Sequence, residues 1–212
     1  MEGLTVEIQQ LLDNDVRNLR NIKQITMEIA LYAVQQNGCA LEYVPFELRT
    51  LDIYLIAVRQ NGYALKFVPE ELKTYELSTI AIQQNEYALK YVPFELKTYD
   101  LCLIAVQQAG DALKFVPEEM KTYELCTLAV QTTGWALKYV PKELKTYDLC
   151  LISIQKDAIT VLFDIIPQEM KTKEFYLAAY RINPDYLTWI PEEMHEYATQ
   201  PVGSFTKPAR RY

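Results

Sequence analysis

Pro117-Glu118-Glu119-Met120-Lys121-Thr122-Tyr123-Glu124-Leu125-Cys126-Thr127-Leu128-Ala129-Val130, continued by Gln131 to Val140, is one copy of a 24-residue unit that recurs along the chain. Its marker is an aliphatic residue before proline. The marker returns at Val44-Pro45, Val68-Pro69, Val92-Pro93, Val116-Pro117, Val140-Pro141, Ile166-Pro167 and Ile190-Pro191, always 24 residues on except for one step of 26, from Pro141 to Pro167. A fixed period of this length is the signature of a repeat architecture, in which each unit buries its apolar face against the next.

The unit carries its own punctuation. Thr122 is placed to cap a helix with its hydroxyl, and Glu124 in the first turn suits the positive end of the helix dipole. Thr50, Thr74, Thr98, Thr146 and Thr172 repeat the arrangement, each followed two residues later by Asp or Glu. Asn37-Gly38 and Asn61-Gly62 read as helix stops of the left-handed kind. A short run such as Ala64 to Val68 follows, and proline then suits the start of the next turn. Each unit therefore predicts a main helix of about ten residues plus a shorter one. Tyr123, Leu125, Cys126, Leu128, Ala129 and Val130 cover most of the main helix, which demands neighbours on several sides.

The expected fold is an all-α solenoid of about seven 24-residue helical hairpins. Residues 1–20 lack the proline marker and read as an N-terminal cap. Residues 21–195 form the array, and 196–212 a loose tail rich in Pro, Gly and Ser. An irregular unit at 156–166, Lys156-Asp157-Ala158-Ile159-Thr160-Val161-Leu162-Phe163 and onward, holds two extra residues and reads as a bend or an apolar plug. Units also alternate: Phe46 and Phe94 with Glu70 and Glu118, Leu55, Leu103 and Leu151 with Thr79 and Thr127, Asp52, Asp100 and Asp148 with Glu76, Glu124 and Glu174. Duplication of a 48-residue double unit explains this.

A leucine-rich repeat is the alternative fold, with Ile56-Ala57-Val58-Arg59-Gln60-Asn61 as its strand and asparagine. Ala109, Thr133 and Asp157 stand where that fold needs a buried asparagine, and alanine is a poor strand former. Helices are favoured.

The stretch Ala57-Val58-Arg59-Gln60-Asn61-Gly62-Tyr63-Ala64-Leu65-Lys66-Phe67-Val68-Pro69-Glu70-Glu71-Leu72 resembles a helical tandem-repeat family of unknown function found in intracellular bacteria and large DNA viruses. Family units read roughly Ala-Val-x-x-Asn-Gly-x-Ala-Leu-x-x-Ala-Ser-x-Glu-Leu-x-x-Asp, and the resemblance covers about residues 25–195. Val-Pro stands here in place of Ala-Ser, and Thr in place of the capping Asp; both keep helix-start chemistry. The resemblance implies helical repeats and host-directed or accessory roles, with no activity to carry over.

A net charge of −7 argues against nucleic acid, whose phosphates call for clustered Lys and Arg. No apolar run reaches the roughly 18 residues that span a bilayer. The start Met1-Glu2-Gly3-Leu4 lacks the features of a cleaved export signal, so the expected location is cytoplasmic, or the host cytosol for a delivered effector. Cys39, Cys102, Cys126 and Cys150 read as small, reduced side chains, the last three in one repeated slot. No nucleophile–base pair, metal spacing or cofactor motif stands out. The one histidine, His195, reads as a surface residue; an enzymatic role would need a pocket lined by Asp157, Asp164 and His195.

Binding is expected where exposed positions vary. Cys39, Tyr63, Tyr87, Asp111 and Trp135 share the slot after the helix stop, and a core slot would not accept both Asp and Trp. Tyr63, Tyr87 and Trp135, joined by Phe46, Phe94, Leu55 and Leu103 if they share that surface, would form an apolar patch interleaved with Lys66, Lys90 and Lys138. The regular aromatics Tyr43, Phe67, Tyr91, Phe115 and Tyr139 read as core. The function expected is a non-catalytic, monomeric protein-binding scaffold, acting as an adaptor or a secreted effector. A stoichiometric inhibitor or regulator of an enzyme is the alternative.

Overall fold

The computed structural model describes residues 4–157, 162–193 and 195. Among them there is no strand, and Leu51–Gln60, which a leucine-rich repeat would extend, is α-helical. After α1, Val6–Asn14, six α-helices start 24 residues apart: α2 Met27–Gln36, α3 Leu51–Gln60, α4 Tyr75–Gln84, α5 Tyr99–Gln108, α6 Tyr123–Thr132 and α7 Tyr147–Lys156. The four-residue α8, Leu162–Ile165, and then α9, Lys173–Ile182, follow.

Threonine starts these helices as expected. Thr50, Thr74 and Thr122 take extended backbone angles, and their Oγ1 atoms accept the N–H of Ile53, Leu77 and Leu125 at 3.4, 3.2 and 3.2 Å. One of the four orphan donors of each helix is thereby satisfied.

The second half of each unit departs from expectation. The short run is not α-helical but a six-residue 3-10 helix, such as Gly62–Phe67, and a second 3-10 turn, Glu70–Leu72, follows Pro69. Nor does the main helix end in the left-handed region. Asn61 is extended at φ −151° and ψ 114°, its N–H donates to the Ala57 carbonyl, and its Oδ1 accepts the Tyr63 N–H at 2.9 Å. One asparagine therefore closes the α-helix and opens the 3-10 helix.

Glycine is needed here for closeness rather than for backbone freedom. A Cβ on Gly62 would lie 1.9 Å from the carbonyl oxygen of Ala81 in the next α-helix, and one on Gly38 would lie 2.1 Å from that of Ala57. Where glycine starts the 3-10 helix, at Gly38, Gly62, Gly110 and Gly134, that start rests directly on the backbone of the following unit.

These contacts build two layers. Neighbouring α-helices stack in one, neighbouring six-residue 3-10 helices stack in the other, and each α-helix packs on its own 3-10 helix and the preceding one. Between the layers lie fully buried Ala57, Ala81 and Ala105 with Ala64, Ala88 and Ala112, whose small side chains allow the layers to close. Val58, Ile82 and Val106 from the α side and Leu65, Leu89 and Leu113 from the 3-10 side fill the remaining space. Each such aliphatic side chain contributes roughly 1.5–3 kcal/mol of hydrophobic stabilisation.

Residues 5–21 follow the same plan. Thr5 caps α1, and Asp15 takes the asparagine's place, accepting the Arg17 N–H at 2.9 Å at the start of the 3-10 helix Val16–Asn21. At the irregular unit, 158–161 lie outside the described residues, α8 stands where a 3-10 helix is due, and α9 packs against α7. The expected tail, 196–212, also lies outside the described residues.

The slot that holds buried Cys102, Cys126 and Cys150 holds Ser78 in α4. Its hydroxyl is the one buried side-chain polar atom without a hydrogen-bond partner among the described residues. An unsatisfied buried hydroxyl costs about 1–3 kcal/mol. Ser78→Cys, the residue its neighbours already carry, is expected to raise stability by about 1 kcal/mol, measured as a higher midpoint in urea or thermal melts.

Candidate functional site

The 3-10 layer has three residues per turn, so its outward positions recur every third residue. In Gly62–Phe67 those are Tyr63 and Lys66, while Gly62 and Leu65 point into the core. Stacking repeats this into two columns on one face. One column is Cys39, Tyr63, Tyr87, Asp111 and Trp135, all exposed or half-buried; the other is Glu42, Lys66, Lys90, Lys114 and Lys138, all exposed.

The first column is partly held by its neighbours. The Tyr63 ring meets Tyr91 edge-on at 5.1 Å, and Tyr87 meets Phe115 at 6.3 Å. The Tyr87 hydroxyl donates to the Asp111 carboxylate at 2.9 Å. Burial first, then that hydrogen bond, pushes the Tyr87 phenol up to about 12. The regular aromatics Tyr43, Phe67, Tyr91, Phe115 and Tyr139, expected in the core, are half-buried on this same face. The lysines stand over them: Lys66 is 5.3 Å from the Phe67 ring, Lys90 5.6 Å from Tyr91, Lys114 4.8 Å from Phe115 and Lys138 5.9 Å from Tyr139. Ammonium groups within about 6 Å of a ring centroid are attracted by its quadrupole.

The other expected binding residues lie elsewhere. Leu55 and Leu103 are half-buried on the α layer, where Leu55 lines a shallow groove with Leu51, Leu77 and Ile80. Phe46 and Phe94, 71% and 62% exposed, sit on the 3-10 turns after Pro45 and Pro93. Tyr63, Tyr87 and Trp135 thus share a face with Lys66, Lys90 and Lys138, while the other four residues do not belong to the six-residue helices that form it. On the α layer the outward row is acidic: Asp52, Glu76, Asp100, Glu124, Asp148 and Glu174 are all exposed. Tyr75, Tyr99 and Tyr123, counted by sequence among the helix's covered positions, are about two-fifths exposed at the starts of α4, α5 and α6.

A second basic series occupies the slot four residues after each marker proline, as Arg49, Lys73, Lys97, Lys121, Lys145, Lys171 and His195. Lys73 and Lys121, just before their capping threonines, are buried. Lys97 Nζ donates to the Phe115 carbonyl at 3.3 Å, Lys121 to Tyr139 at 3.1 Å and Lys145 to Ile165 at 3.3 Å. Each cation therefore closes the last turn of the short helix in its own unit, where the dipole is negative. Glu70 and Glu118 pair with Lys73 and Lys121 at 2.6 and 2.5 Å. Where Phe94 and Lys142 replace that glutamate, burial holds the Lys97 and Lys145 ammonium groups below their ordinary pKa. The 48-residue alternation thus has an electrostatic content.

Phe94→Glu is expected to move the Lys97 pKa upward. A depressed lysine pKa weakens folding while the group is protonated, and the penalty is relieved as pH rises through the folded value toward 10.5. The variant flattens that rise relative to wild type. Its gain near neutrality stays below about 1 kcal/mol, because the supplied carboxylate is largely solvated. Lysine-resolved NMR titration alongside melts at several pH values checks both.

The residues considered for an enzyme have other tasks. Asp157 Oδ2 accepts the Trp135 N–H at 2.9 Å, and Asp164 is exposed. His195, expected in solvent, is half-buried with Nε2 2.7 Å from the Ile190 carbonyl oxygen. The four cysteines are free thiols; burial pushes Cys102, Cys126 and Cys150 up to about 11.

Residues 26–73 and 74–121 are each similar to the family described as a domain of unknown function (DUF4116). Each matched span is 48 residues, from 26 to 73 and from 74 to 121, so it covers two of the 24-residue units in tandem. Comparison with curated proteins and with solved structures finds no match.

Proposed function

We propose that this chain is a non-catalytic protein-binding scaffold whose docking platform is the face formed by its 3-10 helices. The observation that carries the reading is the pair of columns on that face, where Tyr63, Tyr87 and Trp135 stand beside Lys66, Lys90 and Lys138. Aromatic side chains on a rigid backbone lose little entropy on binding, and such residues dominate interface energetics. The residues beneath this column repeat closely from unit to unit, and its outward variation, from Cys39 and Tyr63 to Asp111 and Trp135, is something partner choice can act on. The protein works as a monomer, as an adaptor in the cytoplasm or as an effector in a host cytosol.

The test is affinity capture with wild type and with Tyr63→Ala/Tyr87→Ala/Trp135→Ala in parallel, both first shown to be equally helical by circular dichroism. Proteins retained by wild type and released by the variant support the reading. Identical capture profiles refute it.

A further inference from the structure

Charge and spacing on the 3-10 face say what kind of ligand it fits. Resting on the scaffold reading above, we propose that this face binds an extended acidic peptide whose carboxylates recur about every third residue, with Lys66, Lys90 and Lys138 as the cationic anchors.

Three observations converge. The lysines occupy one column at one per unit, and among the described residues no carboxylate pairs with Lys66, Lys90 or Lys138. Lys114, by contrast, has Asp111 at 3.5 Å, so its charge is already answered. Half-buried rings beneath the ammonium groups hold them upright without neutralising them.

Spacing then selects the ligand's form. Packed helices stand about 8–10 Å apart, so successive lysines of the column are separated by about that distance. A polyproline II strand advances about 3.1 Å per residue, so three residues cover about 9 Å and bring every third side chain to the same side. A carboxylate at residue p of the peptide would meet Lys66, one at p+3 Lys90 and one at p+9 Lys138. Position p+6 would face Asp111 and Lys114, where a further carboxylate gains little. The exposed edges of Tyr63 and Trp135 supply apolar contact for the intervening residues. A nucleic acid would meet the same lysines, but three unpaired cations are few for a continuous phosphate backbone.

The experiment titrates the full-length protein into a fluorescently labelled peptide of Glu-Pro-Pro triplets and follows anisotropy at low and moderate salt. Two probes accompany it: a peptide of identical composition with all glutamates clustered at one end, and an oligodeoxythymidine of equal charge. The expected result is binding of the triplet peptide about tenfold tighter than of the clustered one, a difference of about 1.4 kcal/mol. Affinity falls at least tenfold in Lys66→Gln/Lys90→Gln/Lys138→Gln, a variant checked for unchanged helicity. Equal affinity for both peptides, tighter binding of the oligonucleotide, binding that survives the triple substitution, or no binding of the triplet peptide each overturns the proposal. If the peptide fails while the Tyr63, Tyr87 and Trp135 substitutions still release a captured protein, only the acidic-peptide inference falls. If those substitutions are also silent, the scaffold reading falls with it.

Discussion

Gly62→Ala is expected to destabilise the protein by about 3 kcal/mol, at the upper end of what a single added methyl costs in a packed interior. The added Cβ would sit 1.9 Å from Ala81 O, 2.8 Å from Ala81 C and 3.1 Å from Asn85 N. All three are backbone atoms of the next unit, so no side chain can swing aside; the two units must separate. Separation loses contacts in both layers at once, because the α-helices and the 3-10 helices of neighbouring units stack on the same axis of contact. The internal control is Glu86, which stands in the equivalent position one unit later and is half-buried. That joint has already accommodated a side chain, and Glu86→Ala is expected to change stability by no more than about 0.5 kcal/mol. Chemical denaturation of the two variants side by side decides the matter: equal effects would show that the close approach at Gly62 is not what holds the joint.

Thiol labelling is the second large effect. Cys102, Cys126 and Cys150 have no exposed surface, and their thiols are pushed up to about 11 by burial. Cys39 is half-buried, and burial raises its pKa as well. Reaction requires the thiolate and access to it. At mildly alkaline pH, native protein is expected to release one thiol equivalent to a disulfide reagent on the ordinary timescale. The other three react at least a hundredfold more slowly, in step with local or global opening. In denaturant all four react together. Rapid native labelling of three or four thiols would mean that the inter-layer core is far looser than described.

The periodic parts of this protein were legible because each is a local rule copied many times. The threonine caps, the proline starts and the 24-residue stack all follow from residue chemistry that neighbours in sequence decide. What escaped the sequence depends on the next unit. Asn61-Gly62 looks like an ordinary left-handed stop until Ala81 is placed against it; only then is the need for glycine one of clearance. The short segment is confined between the end of the α-helix and a proline eight residues on, a length that 3-10 helices commonly occupy, and it is 3-10 with the asparagine cap or without it. Tyr43 and its equivalents looked like core because they recur, yet recurrence in a stacked array also marks a continuous surface ladder. Lys97, Lys121 and Lys145 were hidden differently, because each answers a carbonyl 18 to 20 residues ahead. For the candidate site, the variable column of Tyr63, Tyr87 and Trp135 was visible as variation. The separation of Leu55, Leu103, Phe46 and Phe94 from it was not, because it depends on which layer each element joins.

The junctions between helices are not all wired alike. Asn37, Asn61 and Asn85 each cap their own 3-10 helix. Ala109 and Thr133 do not; there, Thr133 Oγ1 reaches back to the Gly110 N–H at 3.3 Å and Asp157 Oδ2 to the Trp135 N–H at 2.9 Å. At Trp135 the donor that an asparagine serves from within the unit elsewhere is served from the next unit. The copies are therefore not interchangeable: excising the stretch around 157 would strand the Trp135 N–H, whereas the N–H groups of Cys39, Tyr63 and Tyr87 keep an acceptor within their own units. Tandem repetition makes the array modular, and the Asp157 contact ties this one joint to a fixed order.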